Sequence, residues 1–131
     1  MKKFLFALVV LAIAFQGCKK DADNWVGTYN GQSGQNIQRV IISKASNSTL
    51  KVELQSVLGS LYLTYAVIDA AKITSATNVE VDEDGQLAGD PATYKFKGTA
   101  TRNGNSISIL GSATNKNNAS DVKYYSFNGT K

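Results

Sequence analysis

Glu80-Val81-Asp82-Glu83-Asp84-Gly85 sets carboxylates at alternate positions ahead of a glycine. Oxygen ligands at that spacing, with Gly sixth, are how a calcium loop begins. Glu80, Asp82 and Asp84 are therefore the metal candidate that the spacing offers. Such a loop also needs a bidentate Glu at its twelfth position, and Pro91 stands there. A solvated acidic turn at Asp84-Gly85 accounts for the same residues, so no metal or cofactor is expected.

Other chemistry is limited by composition. The chain has no His and one Cys. That excludes a Ser-His-Asp triad, a Cys-His pair and an imidazole metal site. It also excludes an internal disulfide, a CxxC pair and a Cys-based zinc site. Ser and Thr are plentiful, but without His a base for them would have to be Lys or a carboxylate. Ten acidic residues leave paired-carboxylate catalysis open to composition, yet no spacing marks a pair. The expectation is a non-enzymatic protein.

The net charge is +4, from 14 Lys+Arg and 10 Asp+Glu. Two of the basic residues, Lys2 and Lys3, begin the chain, and no basic run exceeds Lys19-Lys20. Phosphate tracking needs a cluster, so no nucleic-acid partner is expected. The length of 131 residues and an apolar fraction of 43% suit one domain with one core.

Met1-Lys2-Lys3 precedes an apolar run of twelve, Phe4 to Phe15. The run is too short to span a bilayer and has the size of a signal-peptide core. Gln16-Gly17-Cys18 follows, then the polar stretch Lys19 to Asn24. The expected organisation is a leader over 1–17, Cys18 with a short tether over 18–24, and one β domain over 25–131.

The domain reads as all-β. Short apolar segments rich in Thr, Val, Ile and Tyr are punctuated by Gly, Asn and Ser. Trp25 to Tyr29 opens a first strand that ends near Gly31-Gln32-Ser33-Gly34, and Ile37 to Ser43 makes a second. Asn47-Ser48 marks a turn. Leu50, Val52 and Leu54 alternate with Lys51, Glu53 and Gln55, the cleanest strand pattern in the chain. After Gly59-Ser60, Leu61 to Ile68 is apolar on both faces and reads as a central or covered strand. Ala70-Ala71 is ambiguous, and Ile73 to Val81 supplies one or two short strands. Asn103-Gly104 suits a two-residue turn joining strands over 93–102 and 105–113. Asn115 to Ser120 is a polar loop before a last strand, Val122 to Phe127. About eight strands with short connections fit an antiparallel up-and-down β-barrel, and a two-sheet β-sandwich is the alternative.

Four segments carry a resemblance. The basic start, the apolar run and Gly17 directly before Cys18 resemble a bacterial lipoprotein signal. That resemblance implies cleavage before Cys18, a diacylglycerol on its thiol and a further acyl chain on its amine. The membrane partner is then engaged through those chains. Lys19 after the Cys implies the outer membrane, on its periplasmic or surface face. Trp25-Val26-Gly27-Thr28-Tyr29 is similar to the opening strand of calycins, the class that includes lipocalins. Gly98-Thr99-Ala100-Thr101-Arg102-Asn103-Gly104-Asn105 and the terminal Phe127-Asn128-Gly129-Thr130-Lys131 resemble small lipocalin-like lipoproteins of Bacteroidota. The resemblance implies a lipocalin-like barrel and brings no assigned activity.

The aromatics Trp25, Tyr29, Tyr62, Tyr65, Tyr94, Phe96, Tyr124, Tyr125 and Phe127 would chiefly fill the core, while a few could line an apolar pocket. The expected function is a lipid-anchored envelope module that binds a small hydrophobic ligand, with residues unassigned. The alternative is a protein-interaction or structural envelope module that uses loops or a sheet face. Tyr124-Tyr125 points to opposite faces of one strand and offers one ring to such a surface.

Overall fold

The structure is a computed structural model, and it describes residues 21–32 and 37–131. The leader, Cys18 and the Ser33-Gly34 end of the first strand lie outside the described residues.

Alternation builds the wall. Val40 and Ile42 turn inward from β2 (Ile37–Lys44), and Leu50, Val52 and Leu54 from β3 (Thr49–Leu58). Val79 and Val81 do so from β5 (Asn78–Gly85), and Tyr94, Phe96 and Ala100 from β6 (Tyr94–Asn103). Ile107, Ile109 and Ala113 follow from β7 (Ser106–Asn115), then Tyr125 and Phe127 from β8 (Val122–Thr130). With β1 (Gly27–Gln32) and β4 (Leu61–Ser75), eight strands form a closed antiparallel barrel in sequence order. β1 closes on β8 through Asn30–Thr130, Gly31–Gly129 and Gln32–Asn128. The fold is the up-and-down barrel, and the sandwich alternative falls because one continuous ladder runs round the molecule.

The interior is occupied by side chains. Trp25, Tyr29, Tyr94, Phe96 and Phe127 are fully buried in one cluster with the aliphatic residues. Dense packing of this kind is the normal way a small eight-stranded barrel is filled.

Three local expectations are corrected, and one ambiguous stretch is resolved. Trp25 does not open a strand. Ala22–Trp25 forms a single helical turn, α1, which folds across one end of the barrel and delivers Ala22 and Trp25 into the core. Tyr29 Oη donates to the Trp25 carbonyl at 2.8 Å, and Lys131 Nζ donates to the carbonyls of Asn24 and Val26 at 3.1 and 3.0 Å. The turn between β6 and β7 is Gly104-Asn105, one residue later than Asn103-Gly104, because Asn103 pairs with Ser106. Gly104 takes the positive φ of 59° that this turn needs. β4 runs unbroken through Ala70-Ala71. Finally, Leu61, Tyr62 and Leu63 are exposed, not covered.

Candidate functional site

Among the described residues, four of the seven large exposed apolar side chains, Leu58, Leu61, Tyr62 and Leu63, lie at the tip of β3 and β4. Among the described residues, the final β2–β3 pair toward this tip is Ile37–Ser56, and β5 pairs with β4 only over Lys72 to Ser75. Val57 to Leu63 is therefore a two-stranded ribbon, held by the pairs Val57–Tyr62 and Leu58–Leu61. A register shift passes over Tyr65, so the pairs move from Leu54–Ala66 to Gln55–Thr64. Such a bulge turns the following residues of β4 to the other face. Leu58, Leu61 and Leu63 consequently share the ribbon face that continues the barrel's inner surface beyond its rim. Their exposures are 66, 63 and 47%.

The opposite face of the ribbon is pinned. The Arg39 guanidinium lies 3.4 Å from the ring centroid of Tyr62, and its Nε donates to Gln55 Oε1 at 2.7 Å. Gln55 is the buried polar side chain among the described residues. Stacking of a guanidinium on an aromatic face holds Tyr62 and orients the ribbon.

Beside the ribbon the wall has a seam. Past Lys72, β4 and β5 separate, and the Glu83 carboxylate fills the gap. It accepts from the backbone N–H groups of Asp69 and Ala70 at 2.6 and 2.9 Å. Below it, Ala66 bridges to Leu87, and the Ala88 N–H donates to the Tyr65 carbonyl at 2.9 Å. A cleft of about 770 Å³ opens here between β4 and the loop after β5, with Tyr65, Leu87 and Asp90 among its walls.

At the same end a tyrosine ties two loops. Tyr94 Oη lies 2.7 Å from Asp90 Oδ2 and 2.9 Å from Asp121 Oδ2. The Ala92 N–H donates to Asp90, while Asn115 and Lys123 donate to Asp121. Lys123 above all, then Asn115 and Tyr94, hold the Asp121 carboxyl down at about 2. The Ala92 N–H, then Tyr94, holds Asp90 below the ordinary range. The Tyr94 hydroxyl is pushed up, first by its bond to Asp90 and then by burial. Two ionised acceptors around one neutral phenol form a clamp between the loops. They do not form an acid–base pair, which needs one carboxyl protonated near neutral pH.

The sequence candidates fall elsewhere. Glu80, Asp82 and Asp84 lie on the outer face of β5, paired along its length with β6, and not in a turn. Extended pairing keeps successive carboxylates ~7 Å apart instead of curling them round one point. Lys95 Nζ reaches Asp82 at 2.5 Å and Asp84 at 3.8 Å, and Lys116 Nζ reaches Asp84 at 2.5 Å. Among the described residues no group of three or more His, Cys, Asp or Glu is arranged to hold a metal ion. Cys18 lies outside the described residues.

Of the aromatics, Trp25, Tyr29, Tyr94, Phe96, Tyr125 and Phe127 are core, Tyr65 is half-buried, and Tyr62 and Tyr124 are exposed. Tyr124 and Tyr125 do face opposite ways. Sequence reasoning missed the ribbon, whose only signal is an apolar run flanking Gly59-Ser60. It missed the Glu83 bridge entirely. Among the described residues no helix is long and apolar enough to cross a membrane. Compared with protein-family models, curated proteins and solved structures, the chain matches none.

Proposed function

We propose that the chain is a non-enzymatic envelope module, anchored to the outer membrane by acyl chains on Cys18, that presents the β3–β4 ribbon to a protein partner. The ribbon carries this reading. Leu58, Leu61 and Leu63 are large, apolar and exposed together on one face of the ribbon, and among the described residues no further strand pairs with its edges. Contiguous exposed apolar surface marks an interaction site, and an open strand edge adds backbone donors and acceptors to it.

Placement supports a protein over the anchoring bilayer. The tether enters through α1, at the opposite end of the barrel from the ribbon. β3 alone carries ten residues from the α1 end to the tip, a rise of ~30 Å along the strand. A domain held at Cys18 thus carries its ribbon away from the leaflet that anchors it.

A photo-cross-linking residue placed at Leu61 in the full chain, expressed in its own envelope, tests this. The expected result is one discrete protein adduct that disappears when Leu58 and Leu63 are changed to Ser. Adducts to lipid alone, or adducts no stronger than those from the same residue at Ser112 on the opposite wall, would overturn it.

The seam supports a second reading, a small apolar ligand held at the ribbon end. The 770 Å³ cleft falls in the size range of small-molecule sites, and Tyr65, Ala66 and Leu87 give it apolar walls. Native mass spectrometry of the full chain, with and without added fatty acid, separates the two. A small-molecule adduct abolished by Leu87→Asp favours the ligand.

A further inference from the structure

The ten acidic side chains of the protein all lie among the described residues, and the fold treats them unequally. Asp23, Glu53, Asp82, Asp84 and Asp121 each reach a lysine Nζ at 2.5 to 3.6 Å. The other five reach no cation. Asp21 precedes α1, and Glu80 stands opposite Lys72 in the β4–β5 ladder. Asp69, Glu83 and Asp90 gather at the β4–β5 seam. The seam thus concentrates negative charge that the fold leaves uncompensated.

This charge borders an apolar hollow. Asp69 and Asp90 both line the 770 Å³ cleft, together with Tyr65, Ala66, Leu87 and Pro91, and no Lys or Arg lines it. Asp69 is exposed. Asp90 accepts the Ala92 N–H on Oδ1 and the Tyr94 hydroxyl on Oδ2, and each oxygen keeps a lone pair. Glu83, bonded to the Asp69 amide, adds a third negative charge beside them. Lys123 is the cation near this mouth. Its Nζ is held by Asp121 at 2.5 Å, and Asp90 and Tyr65 also feel its charge. One lysine therefore stands among several carboxylates, and the balance stays negative.

We infer that this cleft, taken as the small-molecule site proposed above, binds an organic cation: a primary amine on an apolar body. An ammonium brings three donors and no acceptor, which suits carboxylate oxygens with lone pairs to spare. Tyr65 adds an aromatic side chain, whose π face attracts a cation. Ala66, Leu87 and Pro91 take the apolar body out of water. An acid of the same shape meets like charge from Asp69 and Asp90 and finds no counter-ion on the lining. Because Asp69 is open to solvent, the attraction is screened and binding weakens as salt rises.

The test is NMR titration of the full chain with phenethylamine, phenethyl alcohol and phenylacetate, following the amides of Ala66, Leu87 and Asp90. The three probes share a phenyl body and differ in the charge of the head. Phenethylamine is expected to bind saturably and at least tenfold more tightly than phenylacetate, with the alcohol between them. Asp69→Asn should weaken the amine at least threefold and leave the alcohol unchanged. Asp69→Lys should reverse the order, with phenylacetate the tightest. Asp23→Asn, which removes a carboxylate at the α1 end, should change none of the three. Asp69 is exposed, so circular dichroism should show the barrel unchanged in its variants. Tightest binding of the alcohol or the acid by the native protein would overturn the cation and leave the cleft a small-molecule site. Amine binding indifferent to both Asp69 variants would do the same. Failure of all three probes to bind would overturn both the cation and the small-molecule site.

Discussion

The ring of Tyr125 lies flat across Gly111, its cross-strand partner. A Cβ on Gly111 would stand 2.6 Å from Cε2 of that ring. The tyrosine hydroxyl continues over Gly98 and donates to the Lys97 carbonyl at 3.3 Å. β7 thus gives up a side chain so that one large ring can cover two strands, and Phe96 meets that ring at 6.4 Å. Gly111→Ala should therefore destabilise the protein by at least ~2 kcal/mol through overpacking. Tyr125→Phe should lose less than ~1 kcal/mol, since the ring stays and only one long hydrogen bond goes. Urea denaturation of both variants checks the ordering. Equal losses would show that the hydroxyl, not the ring's seat, governs this site.

The seam between β4 and β5 depends on a side chain where the rest of the wall depends on ladders. Glu83→Ala removes both acceptors from the Asp69 and Ala70 amides. Those two amides should then exchange with solvent at least tenfold faster, while the amides of β6 and β7 should hold their protection. Hydrogen exchange read by NMR distinguishes local opening from global loss. Uniform acceleration across the barrel would mean that Glu83 supports the whole fold.

Sequence pattern revealed the wall better than its closure. Leu50, Val52 and Leu54 alternate cleanly because both neighbours of β3 are sequence-adjacent and its lower half is buried on one face only. The β6–β7 hairpin was legible from its turn glycine, and its one-residue offset, which leaves the same side chains facing inward, is seen only in the strand register. Barrel closure was not legible. Three pairs between β1 and β8 join residues 96 to 100 positions apart, and no local pattern encodes such a contact. Leu61 to Leu63 misled for a related reason. Apolar residues on both faces suggested cover, but among the described residues neither β2 nor β5 pairs alongside them, and the bulge at Tyr65 turns the leucines to the open face. Glu83 carried no signal, since its role is set by a gap between strands.

Stability should fall at high pH before it falls anywhere near neutral. Burial above all, then the charge of Glu83, pushes the Tyr125 hydroxyl up to about 12. In the unfolded chain it ionises near ~10. The folded state therefore keeps a proton that the unfolded state releases. Its contribution is complete below pH ~10 and is lost as the pH rises toward about 12. Tyr94 is shifted in the same direction, first by its bond to Asp90. On the acid side, Asp121 is held at about 2, so its contribution persists above pH ~4 and is lost as the pH falls through about 2. Urea midpoints of the native protein should drop between pH 9.5 and 11.5, and Tyr125→Phe should recover part of that drop. Parallel curves for the two proteins would place the alkaline loss elsewhere.

Trp25 is the sole tryptophan of the chain and is wholly buried by α1 at the end opposite the ribbon. It reports whether that end is closed. The Arg102 guanidinium sits 5.8 Å from its ring, and Lys131 ties α1 down from the last residue of the chain. Trp25→Ala should cost ~3–5 kcal/mol, the usual loss for deleting a buried indole. Lys131→Ala is the more informative change, because it removes two exposed hydrogen bonds to α1 and no core atom. It should cost at most ~1 kcal/mol and leave the β-sheet dichroism intact. It should also shift the tryptophan emission to longer wavelength as α1 lifts and water reaches the indole. An unchanged emission maximum would mean that core packing alone holds Trp25 in place, and that the terminal lysine contributes nothing to closing the barrel.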